Sequence, residues 1–66
     1  MTILLNGKEH PMDQSMTVLE LLTSIGLAEK PVVVELNQKA LFPREYTEQP
    51  LSNGDKLEII TIAAGG

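Results

Sequence analysis

Only one stretch of this 66-residue chain has helical periodicity, and β-forming runs flank it on both sides. In TVLELLTSIG, Val18, Leu21, Leu22 and Ile25 fall at i, i+3, i+4 and i+7, which is one face of a helix. Thr17 and Glu20 form a capping-box pair, each side chain able to accept from a backbone N–H at the helix start. Gly26 stands where a left-handed residue closes a helix. A lone helix has no second helix to bury its apolar stripe against, so it must lie across a sheet. That requirement leaves a two-layer α+β domain.

The β-forming runs supply the sheet. TILLN reads as a first strand bounded by Asn6-Gly7, a strong hairpin signal, and KEHPM reads as the returning strand. Pro11 has no N–H to donate, so that second strand is expected to lie at an edge or to end near there. VVVEL after Pro31 is a strand with Val32, Val34 and Leu36 on one face, and Asn37-Gln38 turns the chain into a short strand around Lys39-Ala40-Leu41. FPREYTEQPL has two prolines and no steady period, so it reads as a loop with room for one short helical turn. A second Asn-Gly pair in SNGDKLEIITI leads into the last strand. The order β-β-α-β-β-β matches the β-grasp, or ubiquitin-like, arrangement: a single mixed sheet packed on one main helix, with the last strand central beside the first.

Size and charge narrow the function. A chain of this length buries only roughly 60% of its unfolded surface. A ligand cavity of roughly 300–1,000 Å³ would consume much of that core. A module acting through partners is therefore expected, rather than a self-contained enzyme. The net charge of −4, with five scattered Lys and Arg, disfavours nucleic acid and anionic membranes as partners. No apolar run approaches the roughly 18 residues of a membrane span. The opening MTILLNGKEH lacks the basic and long apolar segments of a signal peptide, so a cytoplasmic location is expected. The absence of cysteine excludes disulfides, thiolate metal sites and cysteine nucleophiles.

Side chains suited to catalysis or metal binding are sparse. His10, the single histidine, sits in the presumed edge strand and reads as a surface residue. The nine acidic residues show no spacing that would cage a metal, and Asn53-Gly54-Asp55 lacks the remaining ligands of a calcium loop. Ile60 and Ile62 are more informative. If Leu57 and Ile59 face the helix, Ile60 lies on the opposite face of the sheet, with Leu4 and Val33 as candidate neighbours. Two readings fit: a central strand that is apolar on both sides and partly covered by the irregular crossing, or an exposed apolar patch that docks a protein.

The sequence then closes on Ala63-Ala64-Gly65-Gly66. Four extended residues reach roughly 13 Å. Glycine has no Cβ and suits passage through a narrow channel into another protein's active site. A terminal carboxylate is an anion at neutral pH. Such an anion can attack the α-phosphate of ATP, giving an acyl-adenylate that a thiol, persulfide or amine then displaces. The domain therefore spans 1–66, with 63–66 expected as a flexible tail.

The whole chain resembles the small sulfur-carrier proteins of thiamine (thiazole) biosynthesis. The likeness rests on ILLNG, TVLELL, VVVELN, FPRE, NGDKLEI and the final AAGG, with Gln38 standing where that family often has glycine. The resemblance implies a co-substrate rather than an enzyme, with no cofactor bound to it. An adenylating enzyme related to the ubiquitin-activating type would activate Gly66 with Mg-ATP, and a persulfide sulfur donor would convert it to a thiocarboxylate. Thiazole synthase would then take the sulfur. Gly65 would give clearance, Ala63 and Ala64 would form the stem, and Ile60 and Ile62 would dock the partner. A chain without cysteine has only its acyl terminus to hold transferable sulfur. Three alternatives share the fold: the small subunit of molybdopterin synthase, a ubiquitin-like modifier, and a non-catalytic interaction domain with an inert tail.

Overall fold

The computed structural model describes residues 1–62, so the expected tail from Ala63 to Gly66 lies outside the described residues. Strands β1 (Thr2–Leu5) and β2 (Lys8–Pro11) form the first hairpin, followed by helix α1 (Val18–Ser24). Strands β3 (Val32–Leu36) and β4 (Lys39–Leu41) form a second hairpin, then a 3-10 turn (Pro43–Glu45) precedes β5 (Lys56–Thr61). The five strands make one sheet in the order β2-β1-β5-β3-β4. β5 is central, parallel to β1 and antiparallel to β3. This is the expected mixed sheet and single helix, and Pro11 closes an edge strand as anticipated.

Local chemistry explains why each element begins and ends where it does. The Thr17 hydroxyl accepts from the Glu20 N–H at 3.1 Å, and the Glu20 carboxylate accepts from the Thr17 N–H at 2.8 Å. At the other end Ile25 caps the helix and Gly26 takes φ +79°. The Gly26 and Leu27 N–H groups then donate back to the Thr23 and Leu22 carbonyls, the paired bonds of a Schellman closure.

Both hairpins turn on two residues with positive φ: Asn6 and Gly7 at +50° and +82°, Asn37 and Gln38 at +51° and +70°. This geometry matches the right-handed twist of the flanking strands. Gln38 carries a Cβ in a region that costs an ordinary residue roughly 1–2 kcal/mol. Gln38→Gly is therefore expected to stabilise the fold by about 0.5–1 kcal/mol, once the greater freedom of glycine in the unfolded chain is set against the relief. The check is a rise in the urea midpoint at unchanged slope.

The core lies between α1 and one face of the sheet. Ile3, Val18, Leu21, Leu22, Val34, Leu51 and Leu57 are fully buried, with Met12, Leu36, Tyr46 and Ile59 around them. The irregular crossing contributes through Tyr46 and Leu51; its own turn bonds, such as those from the Glu45 and Tyr46 N–H groups to the Phe42 and Pro43 carbonyls, shape it, and bonds to the helix place it. The Gln49 carbonyl accepts from the Val18 N–H and the Tyr46 carbonyl from the Leu19 N–H, both at 2.9 Å. With the capping box, all four N–H groups at the helix start have partners, which a helix end buried in a core requires.

Burial pushes the Tyr46 phenol above its usual 10.0 by disfavouring the phenolate. The folded state thus holds this proton more tightly than the unfolded chain does. The stability gained by keeping the phenol neutral is complete below the unfolded value near 10 and is lost as pH rises through the folded one. Because Tyr46 is the sole tyrosine and tryptophan is absent, a phenolate absorbance titration reads it directly. The midpoint is expected above that of the urea-unfolded chain, with Tyr46→Phe flattening the alkaline fall in stability.

Candidate functional site

The site is built on the end of β5, the strand that leads into the glycine tail. Leu57 and Ile59 face the core, while Lys56, Glu58 and Ile60 alternate onto the opposite face. β5 is held on both sides along much of its length. Toward β3 the ladder runs from Leu36–Leu57 to Val32–Thr61, and the Ile62 N–H then donates to the Pro31 carbonyl at 2.9 Å.

Toward β1 the backbone pairing is short, with Leu4 opposite Lys56 and Leu5 opposite Leu57. Side-chain amides complete it. The Asn6 carboxamide accepts from the Ile59 N–H at 2.7 Å and donates to the Ile59 carbonyl at 3.2 Å, so it acts as one further residue of β1. On the β3 side, Asn37 accepts from the Lys56 N–H at 2.9 Å and donates to Asp55 at 3.1 Å. Asn53 accepts from the Thr2 N–H at 2.8 Å. The Gly54 N–H donates to the Thr2 carbonyl, and the Leu4 N–H donates to the Asp55 carbonyl. Three asparagines thus secure the strand that the tail follows in the sequence. Sequence reasoning read them as turn residues and missed this second role; the one legible signal was that each stands in a tight turn.

Of the two readings offered for Ile60 and Ile62, the structure supports exposure. They are 57% and 51% exposed, and Val33, opposite Ile60 on β3, is 40% exposed. The irregular crossing packs on the helix side of the sheet through Tyr46 and Leu51 and does not cover them. Val33 is the neighbour expected for Ile60, but Leu4 is not. Leu4 pairs with Lys56, two rows back along β5, because the parallel register sets Leu4 and Leu5 opposite Lys56 and Leu57. Phe42, the other large apolar side chain this exposed, has the Arg44 guanidinium 4.7 Å above its ring.

His10 is half-buried on β2, opposite Ile3, and lines a shallow depression of about 230 Å³ with Met12, Asp13 and Met16. Among the described residues no three His, Cys, Asp or Glu side chains converge as a metal site. No helix of the described residues is long and apolar enough to cross a membrane. Ala63, Ala64, Gly65 and Gly66, the residues expected to carry the chemistry, lie outside the described residues.

A mixed five-stranded sheet with its last strand central, packed on one helix, defines the class as a ubiquitin-like β-grasp domain. The model of the ThiS family matches residues 3–66. The chain is 36% identical over 62 residues to the sulfur carrier protein ThiS of Thermus thermophilus, covering 94% of this chain and 95% of that one. The crystal structure of the thiamine biosynthesis protein ThiS from Geobacter metallireducens superposes with a TM-score of 0.86 at 32% identity, covering both chains completely. A thiazole synthase of Paramagnetospirillum magneticum is 36% identical over all 66 residues, and the chain spans 20% of that protein's length. The chain belongs to the ThiS family and is a ThiS-like sulfur carrier.

Proposed function

We propose that the protein carries sulfur as a thiocarboxylate on Gly66 and delivers it to thiazole synthase for the thiazole ring of thiamine. The observation that carries this reading is the family match, which spans residues 3–66 and so includes Gly66. The chemistry follows from the carboxylate. Its oxygen attacks the α-phosphorus of Mg-ATP in the active site of an adenylating enzyme, and pyrophosphate leaves. The terminal sulfur of a protein persulfide then attacks the activated carbonyl and AMP leaves, giving an acyl persulfide. A thiol of the partner attacks the inner sulfur, the S–S bond breaks, and the thiocarboxylate departs while a disulfide stays on the partner. The chain contributes the acyl group and a docking surface, so it is a co-substrate of enzymes that bind the nucleotide. Its place of action is the cytoplasm.

In this account Ile60 and Ile62 dock the partner while Gly65, Ala64 and Ala63 thread toward its active site. An extended, small-residue stem can enter a channel that excludes side chains. The likeness to one-fifth of a thiazole synthase supports that enzyme as the acceptor, since a similar domain and the synthase share one chain there. The test is to present the thiocarboxylated protein separately to thiazole synthase and to the large subunit of molybdopterin synthase. Loss of sulfur to the first alone is expected; loss to the second alone reassigns the acceptor. Lysine-linked conjugates with no sulfur transfer would make the protein a modifier instead.

A further inference from the structure

The outer face of the sheet carries a charge arrangement that the free protein does not use. Glu35 on β3 and Glu58 on β5 stand directly opposite each other, one row from the exposed Val33–Ile60 pair. Like charges placed across a ladder destabilise a sheet. The carboxylates that accept hydrogen bonds among the described residues are those of Glu20, Glu45 and Asp55; Glu35 and Glu58 are not among them. Lys56, the basic residue on this part of the face, lies in the next row opposite Leu4.

We propose that Glu35 and Glu58 are the electrostatic half of the docking surface. They draw in a thiazole synthase surface whose apolar contact, seated on Val33, Ile60 and Ile62, is flanked by arginine or lysine. This rests on the functional reading above and specifies the partner's chemistry. Charge complementarity decides the occupant. A second copy of this chain, docked through the same face about a twofold axis, would bring four carboxylates together at a net charge of −4 per chain. A basic rim on a different protein removes the repulsion between the two glutamates and steers encounter over a distance of about 10 Å. The patch is continuous with the end of β5, the strand that residues 63–66 follow in the sequence.

The test measures association of the full-length protein with purified thiazole synthase across a range of sodium chloride concentrations. The wild type is expected to associate more slowly as salt rises. The Glu35→Gln/Glu58→Gln double variant should associate about tenfold more slowly at low salt and lose most of the salt dependence. Its thermal stability should equal or slightly exceed that of the wild type, because the like-charge pair is gone. Ile60→Ser should act mainly on dissociation. A double variant that associates like the wild type at every salt concentration overturns the charge assignment, even if Ile60→Ser still weakens the complex. Absence of any complex with the wild type overturns the choice of partner along with it, and self-association abolished by Ile60→Ser assigns the face to a second copy.

Discussion

Deleting Gly66 is expected to abolish sulfur transfer while leaving the unfolding curve of the protein in place. The buried side chains that hold the fold run from Ile3 to Ile59, and the last ladder contact described is that of Ile62 with Pro31. Removing the final residue touches none of these. The chemistry is another matter. Truncation withdraws the carboxylate by one residue, roughly 3.3–3.6 Å of chain, and misplacing a reacting atom by even about 1 Å can cost a hundredfold in rate. Gly66→Ala keeps the reach and adds one methyl, so it should transfer slowly rather than not at all. Denaturant unfolding together with a sulfur-transfer assay on both variants reads the two effects separately. A truncated protein that still delivers sulfur would move the acyl chemistry off Gly66.

The second large effect is on stability. Asn6→Ala is expected to cost about 2–3 kcal/mol. It leaves the Ile59 N–H and carbonyl without their carboxamide partner, at roughly 1–3 kcal/mol, and puts a methyl-bearing residue at φ +50°. A domain of this size has total stability of only about 3–10 kcal/mol, so the loss is a large share of it. Asn6→Gly separates the contributions, because glycine accepts the turn geometry while still lacking the amide. Urea unfolding of both variants gives the costs. Hydrogen exchange at Ile59 should accelerate in each, since its N–H donates to that amide in the wild type. Equal stability of Asn6→Gly and wild type would mean that the carboxamide clamp contributes nothing.

Most of the architecture was legible in the residues because each element carries its own punctuation. The Thr17–Glu20 capping pair, the Val18–Leu21–Leu22–Ile25 stripe and Gly26 delimit the helix, and Asn6-Gly7 and Asn37-Gln38 set both hairpins. Proline at Pro11 marked the edge strand, and a lone helix then left a single sheet to cover. The crossing from Phe42 to Leu51 holds the one short helical turn expected of it, but its place against the helix was not legible, because that rests on tertiary bonds: its carbonyls accept from Val18 and Leu19, far away in sequence. The same holds for the asparagines. An Asn before Gly predicts a turn by local conformation, but its side-chain partner is set by which strand the topology places beside it. Leu4 was misplaced for a related reason. Alternation assigns a face, while the row along that face depends on the register of the parallel partner.

Ile60 and Ile62 show what patterning leaves open. An apolar residue on the outer side of a central strand is compatible with burial or exposure, and only the packing of the crossing on the helix side decides for exposure. The glycine tail is the opposite case: the chemistry proposed for it rests on composition and position, and on nothing in the described fold.

The most direct test of sulfur carriage is intact-protein mass spectrometry after incubation with Mg-ATP, the adenylating enzyme and a persulfide donor. The account predicts a species in which one oxygen is replaced by sulfur, with fragmentation placing the change on Gly66. An unchanged mass alongside adenylating enzyme that is active on its own carrier would contradict it.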